Sequence, residues 1–165
     1  MRILGIDPGL RVTGYGVISV RGPFPLDRKI GLVEAGVVRT RANAGIAARL
    51  KQVHDALSDV ISELRPDVLV IEKLYAHYKH PATAILMGHV RGVVCLLSGV
   101  HALPLASIAP THIKKSVTGR GHAKKNQVQR MIQHELGLTH LPEPPDVADA
   151  LAVALAYLST VKRKK

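Results

Sequence analysis

With 165 residues, 47% of them hydrophobic and 21% charged, the chain is long enough to enclose an aliphatic core without disulfide staples. Lys and Arg number 23 against 12 Asp and Glu; the resulting formal net charge of +11 favours polyanionic partners, nucleic acid foremost, and says nothing about fold. An aromatic share of 3% excludes an aromatic core, and a single cysteine excludes a disulfide-built scaffold.

In chain order, residues 2–6 form a short apolar strand that ends at Asp7-Pro8-Gly9. Thr13 to Val20 and Lys29 to Thr40 are two further strands, the second following the Gly-Pro-Phe-Pro turn at 22–25, so an antiparallel meander is expected. From Ile46 the pattern becomes helical: Leu50, Val53, Leu57, Val60, Ile61 and Leu64 recur at three- and four-residue steps until Arg65-Pro66 stops the helix. Val68 to Ile71 is a continuous apolar run, as in a strand covered on both faces, and it ends at Glu72. A helix over 82–99 follows, then a strand at 103–108 that Pro104 assigns to a sheet edge. Lys114 to Lys125 is expected to be a basic, glycine-containing connection. It leads to a helix over 126–136, a proline-stiffened link and a last helix over 146–158. The order implies a mixed α/β sheet with helices on both faces, in one domain over 1–160 with a basic tail at 161–165.

Cys95 lies in an apolar run and is expected to be a buried structural thiol, in keeping with a reducing cytoplasm. No secretory leader opens the chain, and no apolar run reaches the length that spans a bilayer, so a cytoplasmic protein without membrane contact is expected. The nine histidines show no compact zinc spacing; His77, His80, His112 and His122 are expected near the face that meets nucleic acid.

Four carboxylates carry the chemistry. Asp7 and Glu72 each close an apolar strand, and parallel neighbours would bring those strand ends together, where open α/β sheets build their sites. Asp146 and Asp149 are three residues apart on the last helix and share the side of Ala150, Val153 and Ala154, which faces the sheet. Four clustered carboxylates repel one another, a cost that a hard divalent cation such as Mg²⁺ or Mn²⁺ removes. Two such ions suit phosphodiester hydrolysis. Each acid also has an ordinary reading: a turn at Asp7, a solvated strand end at Glu72, dipole stabilisation at Asp146 and Asp149. Their coincidence favours a phosphate-cutting site inside a basic protein.

Several blocks then resemble the RuvC family of Holliday-junction resolvases, which have an RNase H-like fold. They are Ile3-Leu4-Gly5-Ile6-Asp7-Pro8-Gly9 with Arg11-Val12-Thr13-Gly14-Tyr15-Gly16, then Ile71-Glu72, Gly88 to Gly92, Gly119 to Val128, and Asp146 to Ala154. The resemblance implies a five-stranded mixed sheet with helices on both faces and a homodimer on four-way junction DNA. It also implies symmetric nicking of two strands of like polarity in recombination and repair, with 5′-phosphate and 3′-hydroxyl ends. Asp7, Glu72, Asp146 and Asp149 fall on the family's metal-binding carboxylates, implying two Mg²⁺ or Mn²⁺ ions per site. Lys114 and Lys125 fall on its basic positions near the scissile phosphate, and Tyr75 on an aromatic that stacks with junction bases. A branch-migration motor is the further partner implied. His89-Val90 and His77 to Pro81 depart from the family's usual residues, which bears on DNA contacts rather than on the chemistry. An actin-like ATPase would need a second domain and another phosphate loop. A decayed, non-cutting DNA module conflicts with the full set of acids, and an RNA-directed nuclease of the same fold is the remaining alternative.

Overall fold

The structure, a computed structural model, describes residues 1–22, 29–74 and 81–161. Five strands form one mixed sheet in the order β3-β2-β1-β4-β5: β1 Arg2–Asp7, β2 Val12–Arg21, β3 Lys29–Arg39, β4 Val68–Glu72 and β5 Leu105–Ile108. β1, β2 and β3 make the expected antiparallel meander, while β4 runs parallel to both β1 and β5. The edge position expected for the Pro104 strand holds, and the strand itself starts one residue beyond the proline.

Helices cover both faces. α1 (Ile46–Leu64) and α2 (Pro81–Val100) bury Val53, Leu57, Ile61, Val90, Val94 and Leu97 against Leu4, Ile6, Val17, Leu69 and Ile71. α3 (Pro110–Thr118), α4 (Lys125–Glu135) and α5 (Pro145–Val161) pack on the opposite face, against Ile3, Ile18, Val68, Val70 and Ile108. The split follows from strand alternation: Ile3 and Leu4, or Leu69 and Val70, point to opposite layers. The largest fully buried side chains are all Ile, Leu or Val, the aliphatic core that the composition requires.

α1 ends where expected. Arg65 turns left-handed at φ 45° before Pro66, and its N–H still reaches the carbonyl of Ile61. Arg2 then fixes the register of the central pair: its N–H donates to the Asp67 carboxylate at 2.6 Å, and its guanidinium donates to the carbonyl of Leu64.

Three expectations need correction. The stretch from Lys114 to Lys125 is not one connection, because α3 occupies Pro110–Thr118. Pro110 starts that helix where no intrahelical N–H is needed, Ile113 and Val117 give it a buried stripe, and Gly119 ends it at φ 75°. Cys95 is exposed, because α2 turns Val90, Val94 and Leu97 inward and leaves the opposite side uncovered. α2 is also long and apolar enough over Ala82–Val100 to cross a membrane by length and composition, where no such run was expected. Its inward residues nonetheless pack on the sheet like those of any layer helix.

Candidate active site

The site begins with the alternation of β1 and β4. Ile3 and Gly5 face α5, so Asp7 does too; Val68 and Val70 face the same layer, so Glu72 follows. The parallel register pairs Ile6 with Ile71, and one more step places Asp7 beside Glu72 at the carboxyl ends of neighbouring strands. Strand spacing in a sheet is about 4.8 Å, so the two carboxylates emerge side by side.

α5 supplies the other pair, and glycines let it come close enough. A Cβ on Gly5 would collide with the carbonyl oxygen of Ala150 and stand 2.7 Å from the Ala154 nitrogen. A Cβ on Gly14, the β2 partner of Asp7, would collide with the carbonyl oxygen of Asp146. Only glycine admits a helix backbone at that distance. With Ala148, Ala150, Ala152 and Ala154 also buried, α5 lies directly on β1 and β2, and its first turns hang over the end of β1.

The result is a cavity of about 260 Å³ lined by Asp7, Glu72 and Asp149, with Lys114 from α3, Lys125 from α4 and the apolar wall of Ile113 and Val128. Asp146 does not line it; its carboxylate reaches the cluster electrostatically, through its effect on Asp7 and Lys125. Lys125 Nζ bonds Asp149 at 2.6 Å, which raises the ammonium's pKa. Burial pushes the Asp7 carboxyl up to about 7, with Asp149, Glu72 and Asp146 adding repulsion and Lys125 opposing it. Glu72 is raised as well, chiefly by burial and then by Asp149, against the pull of Lys114.

This charge pattern tests the fit of a metal. All the acceptors are hard oxygens, they destabilise one another's ionised forms, and a lysine ammonium already neutralises one of them. Such a donor set suits a small divalent cation rather than a soft one. Among the described residues no three acidic, His or Cys side chains are drawn together at ligand spacing, so the carboxylates share a pocket without closing on one point.

All four predicted acids and both predicted lysines therefore gather at one sheet end, with Asp146 at its margin. Tyr75, His77 and His80 lie outside the described residues. His112, expected to face nucleic acid, is half-buried and shares a hydrogen bond of 2.9 Å with Ser159 of α5; His122 is exposed. The supporting roles of three residues were not anticipated. Thr13 is fully buried and donates to the carbonyl of Gly9 at 2.7 Å, and Arg49 of α1 donates to Leu10 and Thr40, so the turn behind Asp7 is pinned from both sides. Arg91 of α2 donates to the carbonyl of Glu72 and to Ser107. The only local signal for Arg91 was a charge in the middle of an apolar helix.

A mixed five-stranded sheet with helices on both faces, carrying carboxylates at the ends of its central parallel strands, defines an RNase H-like protein. The family model "Crossover junction endodeoxyribonuclease RuvC" matches residues 3–157, and the chain belongs to that family. A relative in Rhodopirellula baltica with that name is 46% identical over 153 residues, 93% of this chain and 83% of the relative. The solved Thermus thermophilus RuvC structure superposes with a TM-score of 0.88 at 30% identity, covering 98% of this chain and 96% of that one. A second Thermus thermophilus RuvC structure, in complex with a Holliday junction substrate, gives 0.89 at 30% identity, covering 98% and 95%.

Proposed function

We propose that this chain resolves Holliday junctions in homologous recombination and DNA repair, as a homodimer in which each acid pocket nicks one of two strands of like polarity. The observation that carries the reading is the convergence of Asp7, Glu72 and Asp149 with Lys114 and Lys125 in one cavity, on a chain of net charge +11. Membership of a family of crossover junction endodeoxyribonucleases supplies the substrate class.

In this reading Asp7, Glu72, Asp146 and Asp149 hold Mg²⁺ or Mn²⁺, two ions per site. Bound there, the ions would supply Lewis acidity to the attacking water and to the leaving oxygen. The carboxylates would hold the ions and orient the attacking water. Lys114 and Lys125 meet the phosphate as charge builds on its non-bridging oxygens; Lys125, held against Asp149 before substrate arrives, is already aimed into the cavity. Water adds to phosphorus and the bond to the 3′ oxygen breaks, leaving a 5′-phosphate and a 3′-hydroxyl. Ile113 and Val128 make the apolar wall of the cavity.

The dimer reading is supported by α2. Ile85 is 60% exposed, Leu96 57% and Val100 64%, an apolar face that a symmetric pair would cover. Two copies also provide the two pockets that paired nicking requires. Tyr75 is proposed to stack on an unpaired junction base, and a branch-migration motor is proposed to deliver the junction in the cytoplasm.

A nicking assay on a labelled four-way junction, with Mg²⁺, Mn²⁺ or chelator, tests the whole reading. Metal-dependent paired nicks that ligase can seal are expected, with linear duplex and RNA hairpins left uncut. Cutting in chelator, or cleavage of RNA in preference to the junction, would overturn it.

A further inference from the structure

We propose that Arg91 is a positioning residue for Glu72, a role that builds on the metal-dependent reading above. Arg91 is the only Lys, Arg, Asp or Glu in the twenty residues of α2. A half-buried guanidinium in so apolar a helix carries a desolvation cost that its bonds must offset. Those bonds are specific: Nη1 donates to the backbone carbonyl of Glu72, and Nη2 donates to Ser107 Oγ at 2.8 Å.

The carbonyl in question belongs to the peptide that joins Glu72 to Lys73, and the N–H of that peptide donates to Ile108 at 2.8 Å. The two ends of a trans peptide point in opposite directions, so the bond to β5 and the bond from Arg91 hold it from both sides. The ladder between β1 and β4 ends one residue earlier, at Ile6 and Ile71. Pairing with β5 continues through Glu72, so Arg91 takes over where pairing with β1 stops, at the residue whose carboxylate must point into the cavity. With the preceding peptide held by the pairing of Ile71, fixing this plane constrains the backbone torsions of Glu72 and with them its Cα–Cβ direction. Ser107, on the neighbouring strand, in turn fixes the guanidinium. Groups that orient a metal ligand through a hydrogen bond typically change metal affinity or activity by roughly 10- to 100-fold when removed.

The test compares Arg91→Met, Arg91→Lys and Ser107→Ala with Glu72→Gln in the full-length protein. Mn²⁺ binding is followed by EPR titration, alongside single-turnover junction cutting, junction affinity in Ca²⁺ and thermal melting. Arg91→Met is expected to weaken Mn²⁺ binding and slow cutting together, roughly 10- to 100-fold, with junction affinity unchanged and excess Mn²⁺ recovering part of the rate. Arg91→Lys, which keeps the charge on a single donor nitrogen, should fall between it and the parent. In the Glu72→Gln background, Arg91→Met should cause no further loss of Mn²⁺ binding. A folded Arg91→Met protein with parental Mn²⁺ affinity, or an equal second loss in the Glu72→Gln background, overturns the proposal. If Arg91→Met does not fold, Ser107→Ala decides: a weakened Mn²⁺ affinity supports the role and an unchanged one removes it. A parent protein that binds Mn²⁺ but leaves junctions intact defeats the nuclease reading alone, whereas one that binds no Mn²⁺ defeats both.

Discussion

The two long apolar helices, α2 and α5, lie in opposite layers of the sheet and are treated in opposite ways. In α5 every residue from Ala150 to Ala156 is buried, and its backbone touches glycines of β1 and β2. In α2, among the residues whose side chains are described, only Val90, Val94 and Leu97 are buried, and added Cβ atoms at Gly88, Gly92 and Gly99 would meet nothing within 4 Å. α5 spends its apolar surface inside the chain, to bring two carboxylates over β1. α2 keeps most of its surface outside, consistent with a second copy completing the burial. An apolar helix is thus no guide to depth; what distinguishes the two is whether the facing strands carry glycine.

The largest effect expected from breaking this contrast is at the acid pocket. Asp7→Asn should abolish junction cutting while gel shifts in Ca²⁺ show binding largely retained, because in the proposed reading binding rests on the basic surface and the pairing of two copies. A loss of binding as complete as the loss of cutting would contradict that division. Next in size is the exposed face of α2. Leu96→Glu combined with Ile85→Glu should convert the proposed dimer to a monomer in analytical ultracentrifugation and abolish paired nicking. A dimer that survives both charges would place the interface elsewhere.

Smaller, and opposite in sign between the two helices, are the glycine substitutions. Gly5→Ala drives a methyl into the α5 backbone and should destabilise the protein by about 1–3 kcal/mol, as overpacking does. Gly92→Ala, placed in the monomeric double-glutamate background, meets open space and should stabilise α2 by about 0.5–1 kcal/mol. Urea melts measure both. Equal signs would mean that α5 and α2 sit at comparable depth.

Much of this was legible in the chain itself. Asp7 and Glu72 were visible because each terminates an unbroken apolar strand, and Asp146 and Asp149 because their spacing shares a side with Ala150 and Val153. α3 was hidden by its lysines and by the glycines that follow it, although Pro110 with Ile113 and Val117 is a helix-start pattern. Cys95 was misjudged because an apolar run does not reveal which side of a helix the chain leaves open. The roles of Arg49 and Arg91 were illegible for a different reason, although Arg91 lies in a block that resembles the family: their acceptors, the carbonyls of Leu10 and Glu72 and the hydroxyls of Thr40 and Ser107, lie between 9 and 39 residues away, and residue type does not record such bonds. Asp146 stands at the margin of the cavity because its position depends on how far α5 slides along Gly14, a distance that spacing on one helix cannot set.

The finest test of the contrast is the pH dependence of the metal-free protein. Asp7 has an ordinary carboxyl value of 3.8 when unfolded and about 7 when folded, so folding takes up a proton between those limits. The stability associated with that proton is fully present below about pH 4 and is lost as pH rises through about 7. The melting temperature in chelator should therefore fall across this window, and Asp7→Asn, with no charge to bury, should flatten the fall and melt higher than the parent at pH 8. Mn²⁺ should reverse the loss, raising the parent's melting temperature more at pH 8 than at pH 5, where protons compete for the same oxygens. Substitutions on the exposed side of α2, at Ile85 or Leu96, should leave this profile untouched. A parent whose chelator melts are level from pH 4 to 8 would mean that the Asp7 carboxylate is neither desolvated by burial nor repelled by Asp149 and Glu72, and the case for a cation among them would lose its physical cause.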